Sequence, residues 1–171
     1  QLDAWEILYV DDGSKDATWS IIDEQHKSDK RVHGLKLAHN VGHQFALWEG
    51  YENAVDKADA VISMDADLQH DINSIGDMLT QFHAGYDVVY GVRNDRATDG
   101  WFKKQTALGF YTLMQKMGVD VIKNHADYRL LSNRALKALV SYPERNIFIR
   151  GIVRTIGFKE TEVKFDVKER F

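Results

Sequence analysis

The chain has 171 residues, 44% hydrophobic and 28% charged, an ordinary globular balance with length for one domain and a sizeable core, which excludes disordered and collagen-like classes. Lys and Arg number 22 against 26 Asp and Glu, giving a net charge of -4 and a pI near 6.0, so no basic field draws in nucleic-acid phosphates and no nucleic-acid partner is expected. The absence of cysteine removes disulfides, thiolate metal sites and cysteine nucleophiles; no apolar run approaches the roughly 20 residues of a membrane span, and no signal-peptide pattern opens the chain, so this piece is expected to be soluble.

Glu6 to Val10 (EILYV) reads as a buried strand that ends abruptly in Asp11-Asp12-Gly13-Ser14. Asp16 can cap the following helix, on which Thr18, Ile21, Ile22 and Gln25 share a face, and Val32 to Ala38 reads as a second strand. After Gly42 a helix is predicted with Ala46, Leu47, Gly50, Tyr51, Ala54 and Ala58 inward. Ala60 to Met64 is a third strand, followed at once by Asp65-Ala66-Asp67-Leu68-Gln69. A helix with Ile72, Ile75, Leu79 and Phe82 inward leads to a fourth strand over Asp87 to Val92.

Strands separated by helices of this length predict right-handed parallel crossovers, hence an α/β sheet covered on both faces. Beyond it, 93–100 is polar and loop-like, Trp101 to Met117 is helical, Asp127 to Leu131 is a short strand, and a helix starts at Asn133. Thr161 to Val167 alternates apolar and polar, as a half-exposed or antiparallel edge strand does. The single proline, Pro143, and the absence of low-complexity linkers give no domain boundary, so 1–171 reads as one domain.

Both acidic clusters fall at the carboxyl ends of strands, where open α/β sheets bind ligands. Residues i and i+2 of extended chain point to one side, so Asp65 and Asp67 can share one hard divalent cation, Mg2+ or Mn2+, with Gln69 adding a neutral oxygen. Such an ion keeps waters and binds substrate phosphates, which implies a diphosphate ligand. Of Asp11 and Asp12, one can accept from a nucleobase or ribose while the other holds the turn through Gly13 and Ser14. Asp16 and Asp71 are read as caps. No histidine pair makes a zinc pattern, and Trp101, Phe102, Phe110, Tyr111 and Met114 fit a core face better than a lipid-facing one.

The run VDDGSKDAT (Val10 to Thr18), Asn40-x-Gly42 with Ala46 and Gly50, MDADLQH (Met64 to His70), Gly91-Val92-Arg93, Ala126-Asp127-Tyr128-Arg129-Leu130 and Arg150-Gly151 resemble glycosyltransferase family 2. More narrowly they are similar to the polyprenyl-phosphate glycosyltransferases, the group of dolichol-phosphate mannose synthase and the bactoprenol glucosyltransferases. The resemblance covers nearly the whole chain in order. It implies a GT-A (Rossmann-like) fold, a mostly parallel sheet with helices on both faces, and inverting transfer of a hexose from a nucleotide diphosphate sugar, UDP-glucose-like, to a polyprenyl phosphate.

On that resemblance Asp11 and Asp12 contact the nucleoside, and Asp65, Asp67 and Gln69 hold the metal and the donor diphosphate. Arg93 meets the acceptor phosphate or the donor, with Lys103, Lys104, Arg150 and Arg170 as further phosphate-binding candidates. Asp127 occupies the place of a catalytic carboxylate: an alcohol acceptor needs it as general base, whereas a lipid phosphate is already anionic and leaves it an orienting role. Arg129 suits Asp127 or a phosphate equally. The parent protein is then expected on the cytoplasmic face of a membrane, in cell-envelope chemistry, with a homo-oligomer left open.

Three departures from the family pattern stand out. Family members begin with a further strand and a helix bearing a Pro-x-x-Asn-Glu-like segment, so the chain reads as a fragment truncated at both ends, lacking the first strand and helix. Lys168 to Phe171 resembles the lead-in to a Gly-x-Ser-Lys segment, and Asp71-Ile72 stands where relatives often carry prolines. Competing expectations are a family 2 enzyme acting on a sugar hydroxyl and a non-catalytic nucleotide-sugar-binding remnant. A haloacid-type phosphatase is disfavoured by Leu68-Gln69 after Asp-x-Asp, and a phosphoryl receiver by the lack of a late Lys-Pro.

Overall fold

A computed structural model describes residues 3–94, 125–143 and 148–166. They form two compact units, one up to Val55 and one from Asp56 onward. The predicted helix over 101–117 with its aromatic face, Lys103, Lys104 and Arg170 lie outside the described residues.

In the first unit β1 (Ile7–Asp11) and β2 (Val32–Lys36) pair in parallel, Tyr9 opposite Gly34 and Val10 opposite Leu35. α1 (Thr18–Ser28) and α2 (His43–Ala54) cover opposite faces of this ribbon. A Cβ on Gly34 would meet Ile22 and Trp19 of α1, while one on Gly50 of α2 would lie 3.0 Å from Val10 Cγ2. Alternating side chains of a strand point to opposite faces, so Gly34 and Val10 mark the two sides. Asp16, expected to cap α1, stands one residue before the N-cap position, which Ala17 fills without a side-chain cap; its Oδ1 instead closes a local turn by accepting the Thr18 N–H at 3.0 Å. The predicted inward face of α2 needs correction at its end: the helix stops at Ala54, Ala58 is exposed, and Trp48 is buried instead.

The second unit holds β3 (Ala60–Ser63), α3 (Ser74–His83), β4 (Val88–Arg93), β5 (His125–Ser132), α4 (Asn133–Val140), α5 (Ile149–Thr155) and β6 (Glu160–Phe165). Its sheet order is β3-β5-β4-β6. β5 runs antiparallel to both β3 and β4, and β6 runs parallel to β4. Three of the four strands therefore point the same way, but β3 and β4 are not neighbours because β5 sits between them. β6 is the expected edge strand, and it is parallel to its neighbour rather than antiparallel.

Both faces of this sheet are covered. On one, Met78 of α3 packs with Val89, Tyr128, Leu130, Val163 and Phe165. On the other, Arg150 of α5 reaches Asp127, which shares its face with Arg129 and Leu131. Every residue from Asp127 to Ser132 is buried, which is why β5 is central. Ser132 caps α4 by accepting the Ala135 N–H at 3.2 Å, worth about 1 kcal/mol. Ile72, expected inward, precedes α3 and is 60% exposed; Met78, 0% exposed, is the residue that anchors the helix.

Candidate active site

In the first unit the acidic pair divides its work. Asp11 is 2% exposed; its Oδ1 accepts the Ser14 N–H at 2.9 Å, while Oδ2 is buried with no donor among the described residues. Asp12 accepts the Val41 N–H at 2.7 Å on Oδ1 and the Gly42 N–H at 3.0 Å on Oδ2, which ties the loop before α2 to the end of β1. Gly13 has φ +70°, and a Cβ there would lie 2.6 Å from the carbonyl carbon of His39. Only glycine fits that approach. One oxygen, Asp11 Oδ2, is thus left as a buried acceptor in want of a donor.

In the second unit the strand directions gather the remaining candidates. β3 and β4 end, and β5 begins, at one edge of the sheet, so Asp65 and Asp67 after β3, Arg93 at the end of β4 and Asp127 near the start of β5 lie at the same edge. Ser63 Oγ donates to the Asp127 carbonyl at 2.9 Å. Asp65, Asp67 and Gln69 are half-buried while Met64, Ala66 and Leu68 between them are exposed, as the i, i+2 alternation demands. Asp67 Oδ1 accepts the Gln69 N–H at 3.1 Å, and Leu68 is held at φ 61°, a strained conformation for a branched side chain.

His70, 2% exposed, closes this turn: Nδ1 accepts the Asp65 N–H at 3.3 Å, which places the ring proton on Nε2. Burial pushes its pKa down, against the opposing pull of Asp65, Asp67 and Asp127 and alongside the repulsion of Arg93. The ring is neutral at physiological pH.

Asp127 is clamped. Arg129, fully buried, donates through Nη2 to Asp127 Oδ1, and Arg150 donates through Nε to Oδ1 at 3.1 Å and through Nη2 to Oδ2 at 3.0 Å. Arg129 Nε and Nη1 are buried without partners among the described residues. Beside it, opposite Arg129 in the ladder, Tyr90 donates to Glu160 at 3.1 Å; burial drives its pKa upward, so it is a neutral phenol.

Among the described residues no three His, Cys, Asp or Glu side chains converge as a metal cage. The donor set after β3 is two carboxylates and a carboxamide, which are hard oxygen ligands. It fits Mg2+ or Mn2+, ions that complete their shells with waters and substrate phosphates, and does not fit a closed structural site. Arg93 is exposed at the strand end. Sequence reasoning missed the roles of His70 and of Arg150 as a partner of Asp127; for His70 the available signal was its position directly after the acidic turn.

The sequence profile of Glycosyl transferase family 2 matches residues 1–140. The chain belongs to this family. It is 56% identical over 166 residues to the uncharacterized glycosyltransferase YkoT of Bacillus subtilis, covering 97% of this chain and 49% of that protein. It is 40% identical over 166 residues to the bactoprenol glucosyl transferase of Shigella phage SfV, covering 96% and 53%. The family 2 chain thus spans about half the length of the curated relatives it matches. Glucosyl-3-phosphoglycerate synthase from Mycobacterium tuberculosis, solved with Mn2+, UDP and phosphoglyceric acid, shares the fold with a TM-score of 0.60 at 15% identity, over 97% of this chain and 60% of that one. The α/β architecture of this family 2 domain is accordingly the GT-A fold. No helix among its described residues is long and apolar enough to cross a membrane.

Proposed function

We propose that this chain carries the donor- and acceptor-phosphate-binding machinery of an inverting glycosyltransferase that moves a hexose from a UDP-hexose to a polyprenyl phosphate at the cytoplasmic face of a cell-envelope membrane. The observation that carries the choice of acceptor is the double arginine clamp on Asp127. A hydroxyl acceptor needs a carboxylate basic enough to take the reacting proton; guanidiniums on both Asp127 oxygens stabilise its charged form and weaken it as a base. An anionic phosphate needs no base, and the partly exposed Arg150 guanidinium can attract it. The 40% identity to a bactoprenol glucosyl transferase supports the same acceptor class.

Asp11 Oδ2 accepts from an N–H or O–H of the nucleoside, which satisfies a buried oxygen that otherwise has no donor. Asp12 keeps the loop at Val41 and Gly42 in place around it. Asp65, Asp67 and Gln69 hold a divalent cation with the donor diphosphate, and the cation supplies neutralisation of charge on the departing diphosphate. Arg93 and the clamp orient the acceptor phosphate, one oxygen of which attacks the anomeric carbon as the bond to the diphosphate oxygen breaks and its electron pair leaves with UDP. The anomeric configuration inverts, and no proton changes hands at Asp127.

The deciding experiment incubates the protein with UDP-glucose, other nucleotide sugars, and either a short polyprenyl phosphate or a sugar acceptor, with Mn2+ or Mg2+ and again with EDTA. Transfer to the lipid phosphate that EDTA abolishes is expected. Transfer only to a sugar hydroxyl, or saturable nucleotide-sugar binding without any transfer, overturns the assignment.

A further inference from the structure

The turn that presents Asp65 and Asp67 is two-sided. Its carboxylates and Gln69 are half-buried, while Met64, Leu68 and Ile72 stand 40%, 66% and 60% exposed. We propose that these three side chains form an apolar rim that receives the prenyl tail of the acceptor, next to the residues that hold its phosphate. The inference rests on the reading of this chain as a polyprenyl-phosphate glycosyltransferase. Single exposed apolar residues are ordinary on any surface; three large ones interleaved with the half-buried carboxylates of one ligand site mark a surface that meets apolar matter. The turn itself does not call for leucine: Leu68 is held at φ 61°, a conformation that asparagine or glycine adopts at less cost.

The rim is continuous with the phosphate-binding residues. Met64 directly follows Ser63, whose Oγ donates to the Asp127 carbonyl at 2.9 Å, and Asp127 is held in turn by the partly exposed Arg150. Leu68 stands between Asp67 and Gln69, and four residues of chain carry it no more than about 14 Å from Ile72. Midway between those two, His70 is 2% exposed and stacks on Tyr128 with centroids 4.8 Å apart, so Leu68 and Ile72 flank a fixed point. The charge around them selects the occupant. No Lys or Arg occurs between Lys57 and Arg93, and Asp65, Asp67 and Asp71 alternate with the apolar residues. Such a surface repels the anionic headgroups of a bilayer and lacks the basic residues of an interfacial anchor, whereas an uncharged hydrocarbon tail is indifferent to it. The phosphate of the acceptor is drawn instead to Arg93 and to Arg150 beside Asp127.

The test measures, by calorimetry with UDP and Mn2+ present, the affinities of geranyl, farnesyl and geranylgeranyl phosphate, each below its micelle-forming concentration. The proteins compared are the wild type, Leu68→Asn, Ile72→Ser and the double variant. Expected is wild-type affinity that rises with tail length, and a ratio of geranylgeranyl to geranyl phosphate affinity that falls about 5- to 10-fold with each substitution. The ratio cancels any general damage to the phosphate site. A preference for long tails that survives in the double variant overturns the rim and leaves the acceptor reading intact, as does a wild type that binds all three tails equally. Failure of the wild type to bind any prenyl phosphate overturns the acceptor reading, and the rim with it. Sedimentation with phosphatidylcholine vesicles free of prenyl phosphate, shown by the wild type and lost in the double variant, overturns the rim in favour of a membrane-docking surface. Should Leu68→Asn not fold, Ile72→Ser decides alone: a reduced ratio supports the rim, and the wild-type ratio refutes it.

Discussion

Arg150 takes both oxygens of the Asp127 carboxylate, at 3.1 and 3.0 Å, from a helix that begins more than twenty residues after β5 starts. With Arg129 on Oδ1 from the same strand, Asp127 is a counter-ion before it is anything else. Removing the carboxylate strands a fully buried guanidinium. Asp127→Ala is expected to destabilise the fold by about 3–5 kcal/mol, read as a shift of the urea midpoint at constant slope. A loss below about 1 kcal/mol would mean that the clamp is not an energetic unit.

Asp11 offers a cleaner separation of binding from stability. In Asp11→Asn the Oδ1 acceptor for the Ser14 N–H survives, but the orphaned Oδ2 is replaced by a donor. UDP affinity by calorimetry should fall by about 1.5–3 kcal/mol, the worth of a charged hydrogen bond, with the melting temperature unchanged or raised. Unchanged affinity would remove Asp11 from the nucleoside site.

The pairing of Asp87 with Arg134 gives a pH signature. Arg134 donates to Asp87 at 2.5 and 2.6 Å, and this contact, chiefly, holds the Asp87 pKa below its ordinary value, with Ser132 adding a second donor. A depressed folded-state pKa stabilises the native state above the unfolded value of about 3.9 and ceases to do so as pH falls through the folded value. Stability should therefore drop between neutral pH and pH 3 more steeply in the wild type than in Arg134→Gln. Parallel pH profiles would show that the pair contributes nothing.

Two apolar residues flanking the start of α3 test the packing. Met78→Ala empties the centre of the core cluster and should cost about 2–5 kcal/mol. Ile72→Ala lies on the surface and should stay within about 0.5 kcal/mol. Reversal of that order in chemical denaturation would restore the inward face that periodicity alone predicts.

The contrast between Ile72 and Met78 shows how far local pattern reaches. Hydrophobic periodicity located the described strands and most of the helices to within about two residues, because burying one face imposes a local repeat of 2 or 3.6; it ran α2 on to Ala58, past its end at Ala54, and gave no helix over Ile149–Thr155. It also placed Asp11-Asp12 and Asp65-x-Asp67 at strand ends, since an apolar run that stops at charges stops at the sheet edge. On α3 it placed Ile75, Leu79 and Phe82 against the core, where they pack, but it turned Ile72 inward and passed over Met78.

Sequence by itself determined the α/β class, the family and the acidic pairs at the strand ends, all of which are written in short, contiguous patterns. Only the tertiary structure decided that β5 inserts antiparallel between β3 and β4, that Asp127 is shared by Arg129 and Arg150, and that His70 Nδ1 accepts the Asp65 N–H. Ser63 meets Asp127 across 64 positions of chain, and Tyr128 meets Asp71 across 57. Such partners are chosen by which faces close-pack against each other in three dimensions, a choice to which the local repeats of a strand or helix are indifferent.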